Sequence, residues 1–201
     1  MSHEKIQNLG QQRLKSLKPG GDAVERWRAF LAGYQPRAEY PDDAYAWLTC
    51  TLALEGVAGD NFGVGAILVD ADGQVVAQGH NQVFHPHFRS DRHAEMVVVE
   101  GWEDGRPQVP WPGGLTLYTS LEPCPMCLVR LCNADVRRVL FAAPDSFGGM
   151  VGRLSSLPPA WLELAQGKTF AQARCSQELA HAAAQIFQLN LEALNARLKV
   201  R

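Results

Sequence analysis

The order of hydrophobic and polar positions predicts a chain in which helices alternate with short strands. Apolar residues recur at helical spacing over 44–55, and this predicted helix ends in a glycine-containing segment. Two β-rich stretches follow at 64–70 and 74–78, with an Asp-Gly pair between them that is typical of a hairpin turn. Short apolar runs predict two more strands at 115–120 and 137–143.

The segments beside these strands are predicted to be helices and loops. We expect a short helix over 93–101 despite its three valines, a loop over the Gly- and Pro-rich stretch 101–114, and a helix over 124–133. The pattern of the C-terminal part is mainly helical, and 180–198 is its clearest stretch. Residues 169–174 fit either a helix or an edge strand. Strands that alternate with helices predict an α/β fold, specifically a three-layer α/β/α sandwich.

The first part of the chain is predicted to form a separate helical extension. Residues 1–41 are mixed in charge, and Asp22 and Glu25 have the spacing of a capping box ahead of apolar Trp27. We therefore expect residues 1–41 to pack on a domain formed by residues 42–201.

Composition narrows the class of protein. With 201 residues, 46 % hydrophobic and 20 % charged, the chain is typical of a soluble globular protein with a real core. The formal net charge of -2 gives no electrostatic reason to expect nucleic acid as a partner. The N-terminus has no apolar signal segment and no window is apolar enough for a membrane span, so we expect a cytoplasmic protein with no membrane partner.

The cysteines indicate metal binding or reduced thiols. There are five, an odd number, and Cys124, Cys127 and Cys132 fall within nine positions. A disulfide framework would favour an even and dispersed set. Clustered thiols in a chain of this composition therefore favour metal binding or reduced thiols over disulfides.

Two short motifs together carry the candidate chemistry. His93 and Glu95 stand two apart, and Cys124 and Cys127 stand three apart at the start of a predicted helix. Imidazole nitrogen and thiolate sulfur are ligands that zinc prefers, and two cysteines at this spacing share one helix face. The positive end of the helix favours the thiolate form. We therefore predict that His93, Cys124 and Cys127 bind one Zn²⁺ per chain.

The number of protein ligands separates a structural zinc from a catalytic one. A structural zinc needs four, and His80, His85, His87 and Cys132 are candidates for the fourth. Three ligands would leave one position for water, whose pKa zinc lowers to about 7. A carboxylate at Glu95 could then take a proton from the water and pass it to a leaving amine.

The combined motif, His-x-Glu followed by Pro-Cys-x-x-Cys, is the signature of zinc nucleobase deaminases. The sequence resembles the cytidine and deoxycytidylate deaminase superfamily at 64–69, 79–81, 121–127 and 136–143, within a span of about 43–147. The stretch Thr-Ser-Leu-Glu-Pro-Cys is similar to the branch that contains tRNA adenosine deaminases and guanine deaminases.

This resemblance implies a mixed five-stranded sheet flanked by helices, and a homodimer with its active site near an interface. It also implies that Asn81 hydrogen-bonds the base, for which a carboxamide offers both a donor and an acceptor. The function it implies is hydrolytic removal of the exocyclic amine of a small nucleobase, nucleoside or related heterocycle, with release of ammonia.

Two alternatives remain at the sequence level. The first is editing of adenosine in tRNA, and the second is a zinc-stabilised scaffold subunit without catalytic activity. Near-neutral charge favours the small substrate over tRNA, and an intact Glu95 argues against the scaffold.

Two loops are expected to select the substrate. One is 83–92, which contains two histidines and two arginines, and the other is 145–150. The sequence does not distinguish purine from pyrimidine.

Overall fold

The computed structural model describes residues 3–105, 114–134 and 136–200. The helices are α1 His3–Ser16, α2 Asp22–Gly33, α3 Asp43–Ala58, α4 Ala94–Asp104, α5 Pro125–Asn133, α6 Pro159–Ala165, α7 Gln177–Gln188 and α8 Leu191–Lys199, with a 3₁₀ helix at Val151–Ser156. The strands are β1 Gly65–Val69, β2 Val75–His80, β3 Thr116–Leu121, β4 Arg138–Ala143 and β5 Thr169–Gln172.

The strands form one mixed sheet in the order β2-β1-β3-β4-β5. Strand β1 is antiparallel to both β2 and β3, whereas β3, β4 and β5 run parallel. This confirms the mixed five-stranded sheet. It also resolves the open assignment at 169–174, because β5 pairs there with β4 at the edge of the sheet.

Alternate residues of β1 face two separate hydrophobic clusters. Ile67 and Val69 belong to the cluster that contains α3 and α7, and Ala66 and Leu68 belong to the cluster that contains α4 and part of α5. Successive side chains of a strand point to opposite faces, so both faces of β1 are buried. Helices therefore cover both sides of the sheet, as the predicted three-layer sandwich requires.

The first 41 residues pack on α3. Side chains of Ile6 and Leu14 from α1 and of Leu31 from α2 are buried in the same cluster as α3. The Tyr34 hydroxyl donates to Oδ2 of Asp43 at 2.7 Å, and this tyrosine precedes α3. The packing agrees with the predicted extension, while the division into 1–41 and 42–201 stays a prediction.

Two local predictions were wrong. Helix α2 begins at Asp22 itself with Gly21 as its N-cap and no side-chain cap, so the predicted capping box does not form. Helix α4 continues through Gly101 to Asp104, because burial of Trp102 offsets the low helix propensity of glycine. The rest of the predicted 101–114 loop lies mostly outside the described residues.

The C-terminal stretch 180–198 is helical, as its pattern predicts. Two helices occur, α7 and α8, and Asn190 between them leaves the helical conformation as the N-cap of α8. Its Nδ2 donates to the carbonyl oxygen of Asn61 at 2.7 Å, which fixes the break between the helices. Within the described part of the chain, no helix is both long and apolar enough to cross a membrane.

Gly10 provides a test of how tightly α1 is joined to the rest of the fold. A Cβ at this position would lie 2.4 Å from Cζ3 of Trp47. The Trp47 side chain is fully buried, and its Nε1 donates to the Leu31 carbonyl at 2.9 Å, so the ring has little room to move. We expect Gly10→Ala to lower the free energy of unfolding by about 1–3 kcal/mol, measured by urea denaturation.

Gly33→Ala is the matched control, because a Cβ there meets no atom within 4 Å. Equal unfolding midpoints for the Gly10 and Gly33 variants would show that α1 is not held against Trp47.

Candidate active site

The three predicted ligand residues lie at the beginnings of two helices. His93 is the N-cap of α4 and Cys124 is the N-cap of α5, with Cys127 in the first turn of α5. Pro125 occupies the first turn of α5, where its missing N–H costs no helical hydrogen bond. The loop after β2 and the short segment after β3 thus bring two helix N-termini to one place.

The ligand atoms converge to the spacing that one zinc ion requires. His93 Nδ1 lies 3.6 Å from Cys124 Sγ and 3.6 Å from Cys127 Sγ, and all three ligand atoms lie within 4.8 Å of one another. Tetrahedral zinc with normal bond lengths separates a nitrogen and a sulfur ligand by about 3.6 Å. The donor set and its spacing therefore fit Zn²⁺.

The proposed fourth ligands do not join this cluster. Among the described residues, His93, Cys124 and Cys127 form the group of mutually close ligand atoms, without His80, His85, His87 or Cys132. Cys132 is buried in a separate apolar cluster. The cluster therefore has the three protein ligands expected of a site with an open position.

The pKa values of the two thiols in the cluster are shifted in opposite directions. The hydrogen bond from Cys127 and the hydrogen bond with His93 lower the pKa of Cys124 to about 4. The same bond to Cys124, together with burial, raises the pKa of Cys127 well above its ordinary value. Burial alone would lower the pKa of His93, but the Cys124 bond and the Glu95 charge outweigh it and raise this pKa. The low pKa of Cys124 favours its thiolate form, which is the form that binds a metal cation.

Glu95 is a buried carboxyl group beside the ligands. It lies in the first turn of α4, only 4 % exposed, and its Oε2 is 3.5 Å from Cys127 Sγ. Burial raises the pKa of Glu95, and the charge of His93 opposes this only in part. A buried carboxyl group with a raised pKa next to a set of candidate metal ligands has the properties of a proton-transfer group.

A cavity of about 290 Å³ opens beside the cluster. Its polar lining residues are Asn81, His93, Glu95, Glu122, Cys124, Asp145 and Asn195, and its other lining residues are Phe62, Val64, Ala94, Leu121, Phe147, Gly148, Phe187, Leu191 and Leu198. Predominantly apolar walls with a few polar groups are typical of sites for small organic ligands.

Asn81 lies on the cavity wall in a fixed orientation. It is 2 % exposed, its backbone N–H donates to the Val64 carbonyl at 2.9 Å, and its Oδ1 accepts from the Val83 N–H at 3.1 Å. The oxygen is therefore engaged by the backbone, and the Nδ2 amino group is the end of the side chain that can donate to a ligand.

The charged residues of the 83–92 loop, which was expected to contact the substrate, are not among the cavity-lining residues. Arg89 Nη2 pairs with Asp91 Oδ2 at 2.7 Å, and Arg92 pairs with Glu100. His85 and His87 are exposed and also absent from the cavity wall. The arginines are neutralised within the chain, which makes them poor candidates for binding a phosphate beside the cavity.

The sequence did not reveal that the C-terminal helix covers the site. Leu191, Asn195 and Leu198 of α8 line the cavity, although the sequence pattern of this segment predicted only that it is helical. Helix α8 is anchored through buried Leu194 and through Arg197, whose guanidinium lies 4.3 Å from the centre of the Phe84 ring. Phe62 does line the cavity, which apolar patterning alone could not distinguish from core packing.

A sequence model of one family matches most of the sheet and all three ligands. This family is described as the cytidine and deoxycytidylate deaminase zinc-binding region, and the match spans residues 41–143, more than half of the chain. The chain belongs to this family. Both halves of the combined motif lie inside the matched region.

Two relatives of this deaminase-family chain are named for different substrates. The chain is 40 % identical over 95 residues to the tRNA-specific adenosine deaminase of Bacillus subtilis, covering 47 % of this chain and 56 % of that protein. It is 38 % identical over 105 residues to the guanine deaminase of the same species, covering 51 % of this chain and 64 % of the relative. The chain thus spans less than two thirds of the length of each.

A solved structure supports the fold over a longer span. It comes from biochemical and structural studies of A-to-I editing by tRNA:A34 deaminases at the wobble position of transfer RNA. The TM-score is 0.59 at 26 % sequence identity, covering 75 % of this chain and 99 % of that one. The α/β fold predicted from the sequence is therefore that of known deaminases.

Paired substitutions of two buried cysteines test the ligand set. Cys127 and Cys132 are both almost fully buried, but only Cys127 points a sulfur at His93. We expect Cys127→Ala to lower the zinc content after dialysis by at least about tenfold, since loss of one of three ligands destroys the site. Cys132→Ala should retain about one zinc per chain. The measurement is metal analysis by mass spectrometry, and equal zinc content in the two variants would refute the ligand assignment.

Proposed function

We propose that this protein is a zinc-dependent hydrolytic deaminase that removes the exocyclic amine of a nucleobase-type ring and releases ammonia. The observation that carries the proposal is the buried Glu95 carboxyl group, 3.5 Å from Cys127 Sγ and on the wall of the same cavity as the ligand cluster. A purely structural zinc site has no need of such a group. Family membership supports the same chemistry.

The ligand set would hold zinc through His93, Cys124 and Cys127. Bound zinc supplies Lewis acidity that lowers the pKa of water to about 7 and so makes a nucleophile available at neutral pH. Glu95 accepts the proton that the attacking water loses, while the water oxygen bonds to the ring carbon that carries the amine. Glu95 then returns the proton to the amine, the carbon–nitrogen bond breaks, and ammonia leaves.

Asn81 would orient the ring. Its Oδ1 is held by the Val83 N–H, so its Nδ2 presents a donor at a defined position on the wall. Phe62, Leu121 and Phe187 supply apolar surface for the faces and edges of a planar heterocycle. These contacts exclude water from the ring and leave the amine as the part of the substrate nearest the metal ligands.

We favour a small free heterocycle as the substrate. Helix α8 of the same chain lines the cavity, and the arginines of the 83–92 loop pair with acidic residues of the chain. The formal net charge is -2, so no excess positive charge draws in a polyanion. We also propose a homodimer, which the family resemblance implies.

Editing of adenosine in tRNA is the second candidate. It is favoured by the 40 % identity to a tRNA-specific adenosine deaminase and by the solved structure from work on tRNA:A34 deaminases. This function requires a base extruded from a splayed loop into the cavity. The scaffold alternative has no comparable support, because the three-ligand cluster lies next to Glu95.

Glu95→Gln tests the catalytic proposal. The substitution keeps the size of the side chain and removes its capacity to carry a proton, so we expect zinc to remain bound and kcat to fall by about 10²–10⁴-fold. The measurement combines ammonia release with metal analysis. Glu100→Gln on the same helix is the control, since its carboxylate pairs with Arg92 outside the cavity. Full activity in the Glu95 variant would exclude the proposed mechanism.

The substrate class is tested with cytosine, adenine and guanine, their nucleosides, and a tRNA that carries adenosine at the wobble position. For a free base or nucleoside we expect KM to change by less than about twofold between 50 and 200 mM salt. A protein that contacts several phosphates would instead lose about 10³-fold or more in tRNA affinity over the same range. Activity confined to tRNA with that steep salt dependence would replace the small-substrate proposal.

A further inference from the structure

Glu122 occupies the junction between the central sheet and the metal-binding helix. It follows the last residue of β3 and precedes Cys124 by two residues, and its backbone N–H donates to the Ala143 carbonyl at 2.9 Å. Its position is therefore fixed by the sheet, and its side chain lies on the cavity wall. The mechanism above gives this carboxylate no role.

Both oxygens of the Glu122 carboxylate are bound by one loop, residues 144–152, which we name the substrate loop. Oε2 accepts from the Asp145 N–H at 3.0 Å, and Oε1 accepts from the Val151 N–H at 2.9 Å and from the Gly152 N–H at 3.3 Å. One negative charge thus holds both ends of the loop through backbone hydrogen bonds, which are stronger than bonds between neutral groups.

The substrate loop contributes directly to the cavity. Asp145, Phe147 and Gly148 line it, and the Phe147 side chain is 96 % exposed. Asp145 also caps the loop internally, since its Oδ1 accepts from the Phe147 and Gly148 N–H groups at 3.0 Å each. The place of these three residues on the cavity wall therefore depends on where the two loop ends are held.

Gly149 shows that the loop is closed tightly over Glu122. A Cβ at Gly149 would lie 2.4 Å from Cδ of Glu122 and 2.5 Å from the Asp145 carbonyl oxygen. Only a residue without a side chain allows the loop and the carboxylate to approach this closely. The contact gives a second, independent way to disturb the same interaction without changing Glu122.

We propose that Glu122 is a positioning residue that fixes the substrate loop against the cavity and thereby sets substrate affinity. The inference rests on the proposed deaminase function. Glu122 acts through the loop, because its two oxygens are occupied by three backbone donors. A carboxamide cannot replace it, since one end of glutamine would place an N–H₂ donor against backbone N–H donors.

The test compares Glu122→Gln and Gly149→Ala with two controls, Glu103→Gln and Gly101→Ala. Glu103 pairs with Arg130 away from the cavity, and a Cβ at Gly101 meets no atom within 4 Å. For each zinc-loaded protein we would measure kcat and KM for ammonia release from the best base or nucleoside of the panel. Hydrogen exchange of the 144–152 segment and zinc content are measured in parallel.

We expect both test variants to raise KM about tenfold or more while kcat changes less than about threefold, because misplaced binding groups weaken positioning and leave Glu95 intact. Exchange should accelerate at 144–152 and stay unchanged in the controls, with zinc retained in all. Unchanged exchange in Glu122→Gln would overturn the claim that Glu122 holds the loop. Faster exchange with unchanged KM would overturn the claim that the loop sets affinity.

Failure of the proposed deaminase function can be distinguished from failure of the proposed role of Glu122. If the wild-type protein releases no ammonia and calorimetry detects no binding of cytosine, adenine or guanine, the deaminase proposal fails and the affinity claim fails with it. The exchange measurement would still decide whether the Glu122 carboxylate holds the loop.

Discussion

The structure depends on the convergence of two helix N-termini beyond the carboxyl ends of β2 and β3. Three ligand atoms from two helices must come within 4.8 Å of one another, and His93 and Cys124 do so as the N-caps of α4 and α5. N-cap residues have extended backbones, so their side chains can point back along the helix axis instead of outward. The partial positive charge at the N-termini of α4 and α5 then favours the thiolate form of the cysteines and stabilises negative charge that develops beside them during the proposed reaction.

Convergence of this kind demands a rigid frame. Strands β1 and β3 are neighbours and are buried on both faces, so the segments that leave β2 and β3 start from fixed points. Helix α3 and the packed N-terminal helices support one face of this frame, and α4 supports the other. Burial also creates the conditions for proton transfer, because a carboxyl group removed from water has a raised pKa and Glu95 lies in such a place.

Local patterns in the sequence were sufficient for the sheet and for the central site. The Asp-Gly hairpin, the apolar runs of β3 and β4, and the His-x-Glu and Cys-x-x-Cys motifs each depend on residues close together in the chain. The structure confirmed the strands, the sandwich and the meeting of His93, Cys124 and Cys127.

Features that depend on distant residues could not be predicted in the same way. The covering of the cavity by α8 depends on Arg197 meeting Phe84, and the hold on the substrate loop depends on Glu122 meeting backbone amides about 30 positions later. The pairing of Arg92 with Glu100 likewise could not be predicted, and it makes Arg92 a poor candidate for binding a substrate phosphate. In each case the sequence allows the side chain several interaction partners, and the partner it contacts is determined by the tertiary structure.

We propose that three protein ligands hold zinc and leave a fourth position open beside Glu95. X-ray absorption at the zinc edge of the zinc-loaded protein measures the number and type of the ligands. An open site should show two sulfur ligands at about 2.3 Å and two nitrogen or oxygen ligands at about 2.0–2.1 Å, one of them from a small molecule that added anions can displace. A spectrum that shows a fourth protein ligand and does not respond to added anions would contradict the open site and indicate a closed structural zinc.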